Sequence, residues 1–207
     1  MKRLMGVALL CALSALAQAA DDAASRLVKV LGGIQGMQAT FAQQTVDGKG
    51  RPQAAQSGKM GVKRPGMFRW EVLTPAPQLV LTAGKILWIY DPDLMQATKQ
   101  KLDSQVGNTP ALLLSGDPRQ LGASFGISEV PGGAGEQVFL LVPRGKEALF
   151  EQMHVRFRQG QLIEMELTDT LGQRTVIRFS KVQMNPSFPA GYFDFVPPKG
   201  EDIIDQF

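Results

Sequence analysis

The chain has 207 residues, 22 Lys and Arg against 19 Asp and Glu, and 44% apolar residues. One histidine and one cysteine cannot assemble a His/Cys metal centre or a disulfide framework. The scattered basic residues form no stripe of the kind nucleic acid requires.

Lys2 and Arg3 open the chain, Leu4 to Leu16 is apolar, and Ala17-Gln18-Ala19 is a small-x-small cleavage signal. Residues 1–20 therefore read as a secretory signal peptide, cut after Ala19 or Ala20. The apolar run is shorter than the ~20 residues of a membrane span. Cys11 lies inside it, and Leu9 and Leu10 are bulky where a lipid-attachment signal has a small residue, so we expect no acylation there. Removing Lys2 and Arg3 from the 22 basic residues leaves 20 against 19 acidic ones, a net charge of about +1. Residues 21–207 are expected to form a single exported domain without cysteine, large enough to enclose a sizeable core.

Asp21 to Ile34 reads as a helix. Ala23, Leu27, Val30, Leu31 and Ile34 recur at three- and four-residue spacing, and Asp21 and Asp22 complement the helix dipole. Strands follow at Gln38–Val46, Ser57–Val62, Phe68–Leu73, Gln78–Thr82, Ile86–Tyr90 and Leu94–Leu102. Asp47-Gly48-Lys49-Gly50, Pro65-Gly66 and Ala83-Gly84-Lys85 supply turns between them. In the third segment Phe68, Trp70 and Val72 share one face, and Met67, Arg69 and Glu71 the other. Arg64 stands at the rim, just before the turn. Alone, this pattern fits either an ordinary aromatic core beside a solvated turn or a ligand cavity with a cation at its edge.

Asn108-Thr109-Pro110 starts a second helix, which runs through Ala111-Leu112-Leu113-Leu114-Ser115 to a cap at Gly116. Asp117-Pro118 starts a third, ending near Leu121. Strands resume at Gly126–Val130, Gln137–Val142, Phe150–Arg158, Leu162–Asp169 and Arg174–Gln183. A final edge strand is expected at Tyr192–Phe195. The sum is a mainly β protein with some α. About eleven antiparallel strands form one large curved sheet, covered on its concave side by about three helices.

No catalytic constellation emerges. His154 sits in an alternating strand, with no second histidine or cysteine near it in sequence. Gly122-Ala123-Ser124-Phe125-Gly126 matches the G-x-S-x-G pattern, but that motif needs a strand before the serine and a helix after it, and here the order is reversed. The seven methionines beyond the signal suit either gap-filling in a core or a cavity that accepts varied shapes.

Several motifs, read together, resemble one family. They are Phe41-x-Gln43, Val62-Lys63-Arg64-Pro65-x-x-Phe68-x-Trp70 and Gly84-Lys85-x-Leu87-Trp88-x-Tyr90. Gln96-Ala97-Thr98, Gly107-Asn108-Thr109-Pro110 and Phe193-x-Phe195-x-Pro197-Pro198-x-Gly200 complete the set. They are similar to the LolA family of outer-membrane lipoprotein carriers across nearly the whole mature chain, with little likeness between Asp117 and Glu151. The resemblance implies an incomplete barrel with a helical lid, no cofactor, no metal and no catalysis. It implies a monomeric periplasmic carrier that takes acylated outer-membrane lipoproteins from an inner-membrane ABC-type transporter to an outer-membrane receptor. Phe68, Trp70, Leu81, Leu112 and Leu114 would line the lipid cavity. Arg64 would latch the lid through backbone carbonyls near Leu31, Leu114 and Ser115. The alternative class is an envelope sensor or interaction module of the same half-barrel shape.

Overall fold

The computed structural model describes residues 23–83, 85–102, 114–145 and 150–206. The signal segment, Leu112 and the helix start at Asn108 lie outside the described residues. Within them a helix, α1, spans residues 23–32. Ala23, Leu27, Leu31 and Ile34 are buried, so the predicted apolar stripe is the face that packs on the sheet.

Twelve strands form one sheet: β1 Gly36–Val46, β2 Pro52–Lys63, β3 Met67–Thr74, β4 Gln78–Ala83, β5 Ile86–Asp91 and β6 Gln96–Lys101. They continue as β7 Phe125–Val130, β8 Glu136–Pro143, β9 Phe150–Arg158, β10 Gln161–Asp169, β11 Arg174–Met184 and β12 Asp202–Gln206. The order across the sheet is β12-β6-β5-β4-β3-β2-β1-β11-β10-β9-β8-β7. Two antiparallel meanders meet where β1 pairs with β11, so β1 lies mid-sheet between β2 and β11. β7 and β12 are the two edges, and the curved sheet does not close.

The connection from β6 to β7 travels between opposite sides of the sheet. Its described part runs from Leu114 through a 3-10 turn, Pro118–Gln120, into a short helix α2, Leu121–Ser124. Asp117 caps the turn by accepting a hydrogen bond from the Arg119 amide, the start signal that Asp117-Pro118 carries. α2 precedes β7, so the G-x-S-x-G match sits on a helix-to-strand junction with no nucleophile elbow.

Alternation decides which side chains the lid covers. Ala39, Met60, Trp70, Val80 and Ile89 stand directly opposite one another from β1 to β5, and Met37, Val62 and Phe68 form the next row. These rows belong to one apolar core with Leu27 and Leu31 of α1 and with Leu114 and Leu121 of the β6–β7 connection. Gly58 makes room within it. A Cβ there would come 1.9 Å from the Glu71 carbonyl oxygen and 2.8 Å from the Phe41 ring.

Two expectations are corrected. Tyr192–Phe195 is not a strand: residues 190–193 form turns, with Gly191 at φ 77° and its carbonyl accepting from the Asp194 amide. Tyr192 instead packs edge-on against Phe193 and tilted against Phe188. The terminal strand is β12, beyond Pro197-Pro198, and it runs parallel to β6, so the sheet is not purely antiparallel. Residues 186–200 lie over the outer face of β2–β5. Tyr192 occupies the space a Gly61 side chain would need, and Phe195 meets Trp88 edge-on and Tyr90 at a tilt.

Candidate functional site: an arginine between two lid segments

β2 ends at Lys63, and Arg64 follows at the point where the chain turns through Pro65-Gly66 into β3. The Arg64 guanidinium is half-buried beneath the ends of both lid segments. Nε donates to the Leu114 carbonyl at 3.1 Å, and Nη1 donates to the carbonyls of Leu31 and, at 2.6 Å, Ile34. Leu31 lies in the last turn of α1 and Ile34 just past its end, where carbonyls lack helical partners. The planar fork of arginine can meet several such acceptors at once. Nη2 is buried without an acceptor among the described residues. Burial pushes the guanidinium below its ordinary pKa, and the nearby Asp117 carboxylate pulls it partly back.

Ser115 enters differently from the expectation. Its carbonyl accepts from the Gly66 amide at 2.9 Å, so the turn and the arginine hold adjacent carbonyls of the second lid segment. Gly66 has φ 71°, which a side chain would disfavour. Beside this contact lies a cleft of about 440 Å³ lined by Val28, Gln35, Arg64, Pro65, Asp117 and Arg119, among others. The Asp117 carboxylate binds the Arg119 guanidinium at 2.8 Å, which holds it below the usual carboxylate range.

Under the lid, Phe68 is 0% exposed and Trp70 5%. Trp70 stacks on Phe41 with centroids 3.7 Å apart and stands 6.2 Å from Phe68. Leu114 is buried in the same cluster. Leu81 is placed elsewhere. It stands opposite Arg69, while Val80 stands opposite Trp70. Directly opposed residues share a face, so Leu81 belongs to the outer face and cannot line a cavity with Phe68 and Trp70. Leu79-Val80-Leu81 is an unbroken apolar run, and period two cannot choose a face within it.

Sequence reasoning missed Ile34 as a partner of Arg64, and it missed Asn185. That side chain, just past β11, accepts the Gln35 and Gly36 amides on Oδ1 at 2.8 and 3.0 Å and donates Nδ2 to the Gly33 carbonyl at 3.1 Å. Asn185-Pro186 is a turn signal that marks such a position. His154 alternates with buried Met153 and Val155 and so faces away from the core. Among the described residues no group of three or more His, Cys, Asp or Glu could hold a metal ion, and no helix is long and apolar enough to cross a membrane.

One continuous, largely apolar face is thus covered by two segments, and one arginine joins them through their carbonyls. The family model described as outer membrane lipoprotein carrier protein LolA matches residues 32–196. The chain belongs to the LolA family. It is 43% identical over 190 residues to the outer-membrane lipoprotein carrier protein of Azotobacter vinelandii, covering 92% of this chain and 91% of that one. The carrier of the same description from Pseudomonas paraeruginosa is 42% identical over 205 residues, covering 99% and 98%. In fold, this LolA-family chain is similar to the crystal structure of an uncharacterised conserved protein from Thermus thermophilus. The TM-score is 0.55 at 15% identity, over 90% of this chain and 99% of the other.

Proposed function

We propose that the protein is a periplasmic carrier of acylated outer-membrane lipoproteins. It would receive them from an ABC-type transporter of the inner membrane and deliver them to an outer-membrane receptor. Residues 1–20 would be removed on export, and 21–207 would act as a single, monomeric carrier domain. It would catalyse no reaction and use no cofactor. The observation that carries this reading is the Arg64 contact, which ties both lid segments over a largely apolar face.

The energetics support a lid that resists opening. Burial is worth about 0.8 kcal/mol per CH₂. Three chains of ~15 CH₂ each, fully buried, would exceed ~30 kcal/mol, beyond the ~18–21 kcal/mol ceiling of non-covalent binding. A carrier must also let go. In the closed form the apolar face is already packed, with Phe68, Met60, Phe139 and Leu87 all at 0–2% exposure. Cargo must displace those contacts and the Arg64 bonds, and both return when cargo leaves. That regained free energy makes unloading possible. Phe68, Trp70 and the lid leucines Leu112 and Leu114 would meet the acyl chains.

The test is mass spectrometry of the protein purified from the periplasm under gentle conditions. Co-purifying triacylated polypeptides support the carrier. A stoichiometric complex with a transmembrane regulator and no acylated cargo would favour an envelope sensor instead.

A further inference from the structure

The connection between α1 and β1 is gripped from both sides. β1 lies between β2 and β11, and the residue just past the end of each neighbour reaches over to it. Arg64, after β2, donates its guanidinium to the carbonyls of Leu31 and Ile34 and its amide to that of Gln35 at 2.8 Å. Asn185, after β11, donates its side chain to the carbonyl of Gly33 and its amide to that of Gly36 at 2.8 Å. Gln35 Nε2 closes back on the carbonyl of Gly32 at 3.0 Å. Every carbonyl from Leu31 to Gly36 therefore has a donor. Carbonyls at and just beyond a helix end lack helical partners, and here two residues from two strand ends supply donors to five of these six.

The two grips differ. The Arg64 guanidinium also holds Leu114 in the second lid segment. Among the described residues the Asn185 side chain holds Gly33, Gln35 and Gly36, and no part of the second lid segment. Losing the first loosens both lid segments, although the Gly66 amide still holds the second through Ser115. Losing the second frees only the connection. We propose that Asn185 is the pivot of the lid, a positioning residue that pins 33–36 to the sheet while α1 swings. It also presents the Leu31 and Ile34 carbonyls to Arg64. This rests on the carrier reading above.

The residue type suits the task. Asn185 has φ 52°, a left-handed conformation that asparagine tolerates better than most side chains. Its amide offers both a donor and an acceptor, and the site uses both. Glycine keeps the backbone conformation and loses the side-chain bonds. Aspartate keeps the acceptor and loses the donor. Asn185→Gly and Asn185→Asp thus separate the pin from backbone strain.

The experiment combines hydrogen exchange of the empty protein with transfer of a labelled triacylated lipoprotein to receptor-bearing vesicles. It uses the wild type, Asn185→Gly, Asn185→Asp, Arg64→Leu and the double variant Arg64→Leu/Asn185→Gly. In Asn185→Gly the Gln35 and Gly36 amides should exchange about tenfold faster or more, with α1 following and β8–β10 unchanged. Release should slow in the direction set by Arg64→Leu. The double variant should release no more slowly than Arg64→Leu alone, since both changes act on the same carbonyls. Asn185→Asp should fall between wild type and Asn185→Gly. The pivot is overturned by unchanged exchange over 31–36 in Asn185→Gly. Two other results also overturn it: a release defect that adds in full to that of Arg64→Leu, or a drop in Tm with no change in the balance of loading and release. Arg64→Leu unloading at the wild-type rate would instead remove the latch. The exchange result would then still decide the pivot.

Discussion

Replacing Arg64 by leucine deletes three hydrogen bonds from a charged donor to lid carbonyls, those of Leu31, Ile34 and Leu114. Bonds to charged groups are worth about 1.5–3 kcal/mol each, so the gross loss is ~5–9 kcal/mol. Two terms offset it. The guanidinium is partly desolvated, and its Nη2 is buried without an acceptor among the described residues, a cost of ~1–3 kcal/mol that leucine does not carry. Water also reaches the freed carbonyls once the lid loosens. The net cost to the closed form is about 3 kcal/mol, a shift of roughly 150-fold in the ratio of closed to open. An open state held near ~1% would become the majority form. Arg64→Leu should therefore accept lipoprotein readily and release it poorly. Arg64→Lys should recover release only in part, because an ammonium cannot reach three separated carbonyls as a fork does. The assay is the rate at which a labelled lipoprotein passes from carrier to receptor-bearing vesicles, with hydrogen exchange at residues 23–34 and 114–121 reporting the lid. Unloading by Arg64→Leu at the wild-type rate, with the lid as protected as before, would refute the reasoning.

Phe68→Glu places a carboxylate among fully buried apolar side chains, where an unpaired charge is costly. It should open the lid and abolish loading while far-ultraviolet circular dichroism stays strand-like. Global unfolding would instead make Phe68 a plain core residue. Gly58→Ala drives a Cβ toward the Glu71 carbonyl and should lower stability by about 2 kcal/mol or more in urea titrations. An unchanged midpoint would show that the β2–β3 pairing, whose register shifts between Ser57 and Gly58, relaxes freely there. Glu136 accepts from Arg158 and Arg156, which hold its carboxyl down to about 2 from the usual 4.5. A depressed folded-state pKa contributes stability that is fully present above ~4.5 and is lost as pH falls toward ~2. Glu136→Gln should flatten that acid limb of the urea midpoint against pH, and an unaltered slope would exclude the ion pairs as its source.

The sequence by itself determined the parts whose signal is local. The buried stripe Ala23, Leu27, Leu31, Ile34 follows from helical period, and burial of Phe68, Trp70 and Val72 against outward Met67, Arg69 and Glu71 follows from strand period. Asp117-Pro118 starts a 3-10 turn because a carboxylate caps the first amides and proline lacks the one it would leave unpaired. Elements whose identity depends on a distant neighbour were not legible. Tyr192–Phe195 has strand-like composition, yet its rings are used against the outer face. The acidic Asp202–Gln206 becomes a strand only because β6 offers an edge to pair with. Leu81 was expected in the cavity, but its pairing with Arg69 puts it on the outer face, a choice the unbroken run Leu79-Val80-Leu81 does not mark. The partners of Arg64 lie 30, 33 and 50 residues away, and Asn185 is about 150 residues from the connection that it grips. The acceptors there are backbone carbonyls, which every residue carries and no residue type marks. Which of them face the arginine and the asparagine was decided only when β2 and β11 closed on either side of β1.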